Sequence, residues 1–211
     1  METFPCTTRI LHFPSDKSLG WLFILRKHEA DGRRTVGGSR WKREQRLAAQ
    51  GTIELPRTLP LELWSTGGEK PDLTLLRTFQ SDDLVRLTLA FCSVDDAALT
   101  HLSGLVGLAS LDLTDTNITG TGLAYLHTLQ QLEVLRLAYS NVQDMNLQYL
   151  HRMNSLQELD LNGTAVTDAG LLHLHQLTAL QLLWLIGTSA TPQGLLSLQR
   201  ALPNCKIKGP D

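Results

Sequence analysis

The side chains best suited to chemistry in this 211-residue chain recur at a fixed distance. Thr88, Asp112, Arg136, Asp160 and Trp184 each stand 24 residues from the next. Beside them run Arg86, Ser110, Val134, Glu158 and Leu182, and then Phe91, Asp115 and Tyr139. Aromatic, arginine and carboxylate side chains gathered in one patch are suited to binding, because they combine large contact area with polar bonds. The candidate partner-binding set is Arg86, Phe91, Asp112, Asp115, Arg136, Tyr139, Glu158, Asp160 and Trp184, led by Phe91, Arg136, Tyr139 and Trp184. A self-contained alternative stays open, in which Arg136 is simply held between Asp112 and Asp160 in a ladder worth little where exposed.

Other reactive side chains point to less. His127, His151 and His175 share one offset, and His101 and His173 another. A metal needs nitrogen at about 2.1 Å, whereas packed helices lie about 8–10 Å apart, so these rings belong to a solvated outer face and no metal or cofactor is expected. Cys6, Cys92 and Cys205 have no paired spacing, which argues against a disulfide framework or zinc site. Cys92 and Cys205 read as small packed residues. The sequence contains no GxxxxGK[ST], GxSxG or HExxH, and no GxGxxG set between strand and helix, so the chain reads as no enzyme. The basic stretch Arg26, Lys27, Arg33, Arg34, Arg40, Lys42, Arg43 and Arg46, with Trp41, offers a nucleic-acid or anionic-surface alternative, although Glu29, Asp31 and Glu44 dilute it.

Five ungapped frames of 24 residues, starting at Leu84, Leu108, Leu132, Leu156 and Leu180, must position the candidate set. Each opens LxxLxL, a short strand. The ninth position holds Cys92, Thr116, Ser140, Thr164 and Thr188, small side chains able to bond backbone in a tight bend. Val94, Ile118, Val142, Val166 and Ala190 follow as an inward column. The second half is a short helix whose leucines recur every third residue, as at Leu99, Leu102 and Leu105. Thr119, Thr167 and Thr191 stand where a helix cap belongs. One coil buries about seven aliphatic side chains at roughly 1.5–3 kcal/mol each, but ordering its backbone costs roughly 1–2 kcal/mol per residue. Coils must therefore stack, with strands inside and helices outside.

The pattern LxxLxLxxT followed by V-T-D-x-G-L-x-x-L-x-x-L resembles the leucine-rich repeats of bacterial proteins, and is similar to the cysteine-containing type of F-box substrate adaptors. The ending Ala201 to Ile207, ALPNCKI, resembles the closing segment of such arrays. The resemblance spans about residues 84 to 207 and implies an α/β solenoid with a curved parallel inner sheet. It also implies a recognition role, with an adaptor role in a ubiquitin-ligase-like complex by analogy only. LPLEL at 59 to 63 is superficially similar to an F-box opening, but Thr66, Gly67 and Gly68 interrupt it.

Residues 1 to 66 are expected to form a small antiparallel β unit from strands at 6–13, 18–25, 51–56 and 59–64, with an exposed loop at 27–46 ending in a brief helical piece. Residues 67–83 then form a degenerate cap that buries Leu73, Leu76 and Phe79. The net charge of −2 conceals an asymmetry: residues 1 to 66 hold 11 Lys and Arg against 7 Asp and Glu, and the remainder 8 against 14. No apolar run reaches the roughly 18 residues of a membrane span, and the start lacks a secretory pattern, so the expectation is a cytoplasmic chain that binds an unidentified protein through its inner face. Leu182, Trp184 and Ile186 form an apolar cluster, either a binding surface or a floor under Lys206 to Asp211.

Overall fold

The computed structural model describes residues 8–13, 19–27, 41–57, 59–65 and 70–210. Cys6 and the basic residues Arg33, Arg34 and Arg40 lie outside them. The leucines at the first, fourth and sixth positions of every frame are buried, from Leu84, Leu87 and Leu89 to Leu180, Leu183 and Leu185. Their strands are β6 (Leu84–Thr88), β7 (Ser110–Asp112), β8 (Val134–Arg136), β9 (Glu158–Asp160) and β10 (Leu182–Trp184), closed by β11 (Lys206–Lys208). All pair in parallel, so that Leu87, Leu111, Leu135, Leu159, Leu183 and Ile207 are successive register partners. Ladder bonds continue past each strand, with Leu89, Leu113 and Leu137 donating to Asp112, Arg136 and Asp160 at 2.8–2.9 Å.

Four stretches of the opposite wall are 3₁₀ rather than α-helical: Leu73–Thr78, Asp96–Leu102, Thr121–Thr128 and Asp144–Leu150. Leucine spacing of three accounts for this, because three residues per turn aligns them in one line along the helix. The fourth coil starts as α1 (Asp168–Leu171) and tightens to 3₁₀ over Leu172–Leu174. Only the last, α2 (Pro192–Ala201), is an α-helix of ten residues. In the bend, the hydroxyls of Thr116, Ser140, Thr164 and Thr188 each donate to the carbonyl three residues back at 2.6–2.7 Å.

A polar latch joins neighbouring coils across this bend. Asp96 accepts from the Thr119 amide at 3.0 Å and hydroxyl at 2.5 Å; Asp144 does the same for Thr167 at 2.7 and 2.6 Å, and Asp168 for Thr191 at 2.7 and 2.6 Å. Thr167 and Thr191 also cap their helices as expected, by accepting from Ala169 and Gly194. Thr119 does not: the residue before its helix is Gly120, with no side-chain cap bond. Each latch carboxylate needs a glycine in the coil it grips, since a Cβ on Gly122, Gly170 or Gly194 would strike Asp96, Asp144 or Asp168. Where the second coil has Gly120 in place of Asp, the third has Gln143 in place of Thr and Asn146 in place of Gly. A Cβ on Gly120 would come within 2.6 Å of Asn146, and the Asn146 amide oxygen instead accepts from the Gln143 N–H at 3.2 Å.

The N-terminal strands differ from expectation. β2 (Gly20–Lys27) pairs antiparallel with β3 (Trp41–Ala48), so residues 41–46 are strand and not the end of a loop with a helical piece. Seven residue pairs with β2 outweigh the weak strand propensity of Lys, Arg, Glu and Gln. β5 (Leu61–Ser65) pairs antiparallel with β2 but parallel with β6, which makes one nine-stranded sheet through both regions. β1 (Thr8–His12) and β4 (Thr52–Pro56) form a separate antiparallel pair. Buried Arg9 on β1 ties it to the array through Asp83, by bonds to a carboxylate oxygen at 3.0 Å and the carbonyl at 2.9 Å. Leu73, Leu76 and Phe79 are buried as expected, with Phe79 edge-on to Phe13 at 6.1 Å.

The latch predicts a coupled pair of substitutions. Gly170→Ala should destabilise the chain by about 1–3 kcal/mol, and by less when Asp144→Ala is already present, as read from a double-mutant cycle in denaturant unfolding. A second expectation concerns acid. Burial pushes the Asp96 carboxyl up, but the Thr119 hydroxyl and the N–H groups of Gly122, Thr119 and Gly120 outweigh it and hold it below its ordinary value. Thr191 holds Asp168 down in the same way. The unfolded chain then binds these protons more readily than the folded one. Their contribution is complete above the ordinary carboxylate value of about 3.9 and is lost as pH falls through the lowered folded values. Unfolding curves at about pH 5 and about pH 2.5 should show this loss, and Asp96→Asn should lose less between the two.

Candidate recognition face

Strand register brings the repeating columns together on the inner face. Thr88, Asp112, Arg136, Asp160, Trp184 and Lys208 are successive partners, as are Arg86, Ser110, Val134, Glu158, Leu182 and Lys206. Neighbours within a row lie about 4.8 Å apart. Arg86, Asp112, Arg136, Glu158, Asp160 and Trp184 are half-buried, whereas the leucines between them are sealed beneath the sheet.

Arg136 pairs differently from the expected ladder. Its guanidinium lies 4.0 Å from Asp112 and 3.9 Å from Glu158, so the second carboxylate is the diagonal Glu158 and not Asp160. Asp160 turns its oxygen onto the Asn162 N–H at 3.0 Å, as Asp112 does onto Thr114. Both Arg136 ion pairs are longer than hydrogen bonds. Burial raises the Asp160 carboxyl above its ordinary value; the Asn162 N–H and Arg136 oppose this, and Asp112 adds to it.

Phe91, Asp115 and Tyr139 share a backbone property that their residue types conceal. All three are left-handed, with φ of 61°, 52° and 58°, and the same position in the last two coils is Gly163 at 64° and Gly187 at 72°. Glycine adopts this conformation freely; other residues pay about 1–2 kcal/mol for it. Two large aromatics nevertheless occupy it, and Phe91 is 64% and Tyr139 66% exposed, so burial does not explain their presence. The Tyr139 ring lies over Gly163, where a Cβ would come within 2.5 Å of it.

The inner face extends beyond the expected set. Glu62 on β5 is fully buried and bound by Arg43 of β3 through two bonds of 2.6 and 2.7 Å, with Arg86 at 3.6 Å. Arg43 also stacks at 4.3 Å on Phe23 and 4.5 Å on Trp64, and Arg46 at 4.2 Å on Trp21. A bulge in β3 places both arginines on the same side. The sequence signal for this extension is the period itself, since Glu62, Leu63 and Trp64 stand 24 residues before Arg86, Leu87 and Thr88.

At the far end β11 lies beside β10 and does not cover it. Leu182 is buried, Lys208 sits 5.9 Å from the Trp184 ring, and Ile186 remains 47% exposed. On the outer wall, the rings of His127 and His151 each bond a carbonyl of their own turn at 2.7 Å, and His101 bonds Arg77 at 2.7 Å. Among the described residues no group of histidines, cysteines and carboxylates is arranged to hold a metal ion.

This geometry is that of a leucine-rich-repeat solenoid. Residues 106–166 match the family described as Leucine rich repeat, and the coils on either side repeat the same register. Among solved structures the chain is similar to internalin C2 of Listeria monocytogenes, at 24% identity and a TM-score of 0.57, with 70% of this chain and 69% of that one covered. It is also similar to a leucine-rich-repeat protein of Leptospira interrogans, at 19% identity and a TM-score of 0.52, covering 70% of this chain and 36% of that one. No curated protein matches the sequence. These likenesses establish the fold.

The left-handed column yields a direct expectation. Tyr139→Gly should raise stability by about 1 kcal/mol, while Gly163→Ala should lower it, both by strain and by displacing the Tyr139 ring. Paired chemical denaturation curves would show the opposite signs.

Proposed function

We propose that this chain is a noncatalytic recognition scaffold whose concave sheet face binds another protein. Leucine-rich-repeat arrays generally act as protein-interaction scaffolds, and one observation carries the reading to this chain. Phe91 and Tyr139 are exposed at positions where the last two coils place glycine. Strain of this kind persists where the side chain itself is needed. The mechanism is preorganisation: the sheet fixes Arg86, Asp112, Arg136, Glu158, Asp160 and Trp184 before the partner arrives, so docking orders few side chains.

The cytoplasmic setting belongs to the same proposal and is supported by the free thiols of Cys92 and Cys205. No helix among the described residues is long and apolar enough to cross a membrane. The two other sequence readings have less behind them. Arg43 and Arg46 face aromatic rings, and Arg43 is neutralised by Glu62, which leaves less positive charge for phosphate. Leu61–Ser65 is a strand, where an F-box would be helical.

Affinity capture from the native host with the whole chain tests the proposal. Arg136→Ala with Trp184→Ala should release the captured protein at unchanged melting temperature, while Tyr125→Ala with Leu172→Ala on the outer wall should retain it. Retention by the inner-face variant would overturn the reading.

A further inference from the structure

We propose that Arg46, stacked on Trp21 at the N-terminal end of the concave face, takes the carboxylate of an aspartate or glutamate carried by the partner protein. This deepens the concave-face reading and rests on it. Register carries the inner face onto the first unit: Arg46, Phe23, Glu62 and Arg86 are successive partners across four strands, and Trp21, Trp64 and Thr88 form the neighbouring row. Two tryptophans therefore stand on adjacent strands beside the arginines of β3. Arg46 lies 4.2 Å from the ring centre of Trp21, and Arg43 lies 4.5 Å from that of Trp64. Arg46 is exposed and Trp64 is 40% exposed, so both can meet a partner.

Charge selects an anion at this end. Among the described side chains of the inner face, Arg43 is bound to both oxygens of Glu62. In the following coils Arg86 and Arg136 count evenly against Asp112 and Asp115, and Lys206 and Lys208 against Glu158 and Asp160. Arg46 is the cation left over: it stacks on Trp21 and has no ion pair or hydrogen bond among the described residues. Glu44, the extra residue of the β3 bulge, is engaged in a contact of its own. Stacking covers the flat face of the Arg46 guanidinium and leaves its in-plane N–H groups for the two oxygens of a carboxylate. The ring also holds the side chain before docking, so less freedom is lost when the acid arrives. One surplus charge suits one carboxylate, whereas a nucleic-acid strand brings a phosphate about every 3.4 Å. The exposed part of Trp64 offers apolar contact to the residue beside the acid.

Titration calorimetry of the whole chain with octaglutamate, an uncharged Gly-Ser peptide and octathymidylate tests the seat at low salt. The chain is itself net negative, so overall charge does not draw octaglutamate to it. Octaglutamate should bind, the Gly-Ser peptide should not, and octathymidylate should bind more weakly than octaglutamate. Arg46→Gln should weaken octaglutamate binding about tenfold at unchanged melting temperature. Arg46→Lys should weaken it less, because it keeps the charge and loses the planar fork. Arg33→Gln with Arg34→Gln should leave it unchanged. Absence of octaglutamate binding would overturn the proposal, as would binding indifferent to Arg46→Gln or lost with the Arg33 and Arg34 substitutions instead. Tighter binding of octathymidylate would overturn it in favour of a phosphate ligand. If the seat fails while Arg136→Ala with Trp184→Ala still releases the captured protein, the concave-face reading stands without it; if capture is also indifferent, both fall.

Discussion

Equal coil length is the constraint on which the rest of this structure depends. A backbone ladder, a leucine core, a bend and a polar latch each connect a residue to a counterpart in the next coil, and all four must agree on the offset. One inserted residue would reverse the strand faces and exchange leucines for the charged columns. The leucines cannot accept that exchange, because no single coil buries enough surface to offset its own ordering. The inner charged face is thus a consequence of the core: once Leu111, Leu135 and Leu159 are stacked beneath the sheet, Asp112, Arg136 and Asp160 must line up above it.

The latch shows how a repeat tolerates variation without losing register. Its Asp, Thr and Gly lie in two coils and change as a unit: Gly120, Gln143 and Asn146 replace all three at one junction, and buried Asn146 occupies space that a latch carboxylate fills elsewhere. This is steric and polar complementarity of one local contact, repeated. The left-handed column obeys the opposite logic. Gly163 and Gly187 meet the backbone requirement without strain, whereas Phe91 and Tyr139 add strain and exposed apolar surface. Differences within a repeat therefore separate what the fold needs from what it merely permits.

Much of this was legible in the sequence. The period, the buried leucines, the hydroxyl-bearing bend and the inner columns follow from residue types at fixed spacing. The pairing of Arg136 with Glu158 was not, because a long side chain chooses among diagonal neighbours that spacing alone treats as equal. Arg43 escaped notice as a partner of Glu62 since its placement depends on a bulge between two antiparallel strands. Asp96, Asp144 and Asp168 share one position of the repeat, and only contact with the following coil reveals the latch. The strand Leu61–Ser65 carried the period one step further back, but its antiparallel neighbour β2 disguised it as part of a separate unit.

Register is most directly measured by couplings across backbone hydrogen bonds in solution. The structure predicts that the amide nitrogens of Leu89, Leu113, Leu137 and Leu161 couple to the carbonyl carbons of Asp112, Arg136, Asp160 and Trp184, one constant offset in four consecutive coils. Couplings from these amides to carbonyls at any other offset, or an offset that changes along the array, would contradict the stacked arrangement and the recognition face built on it.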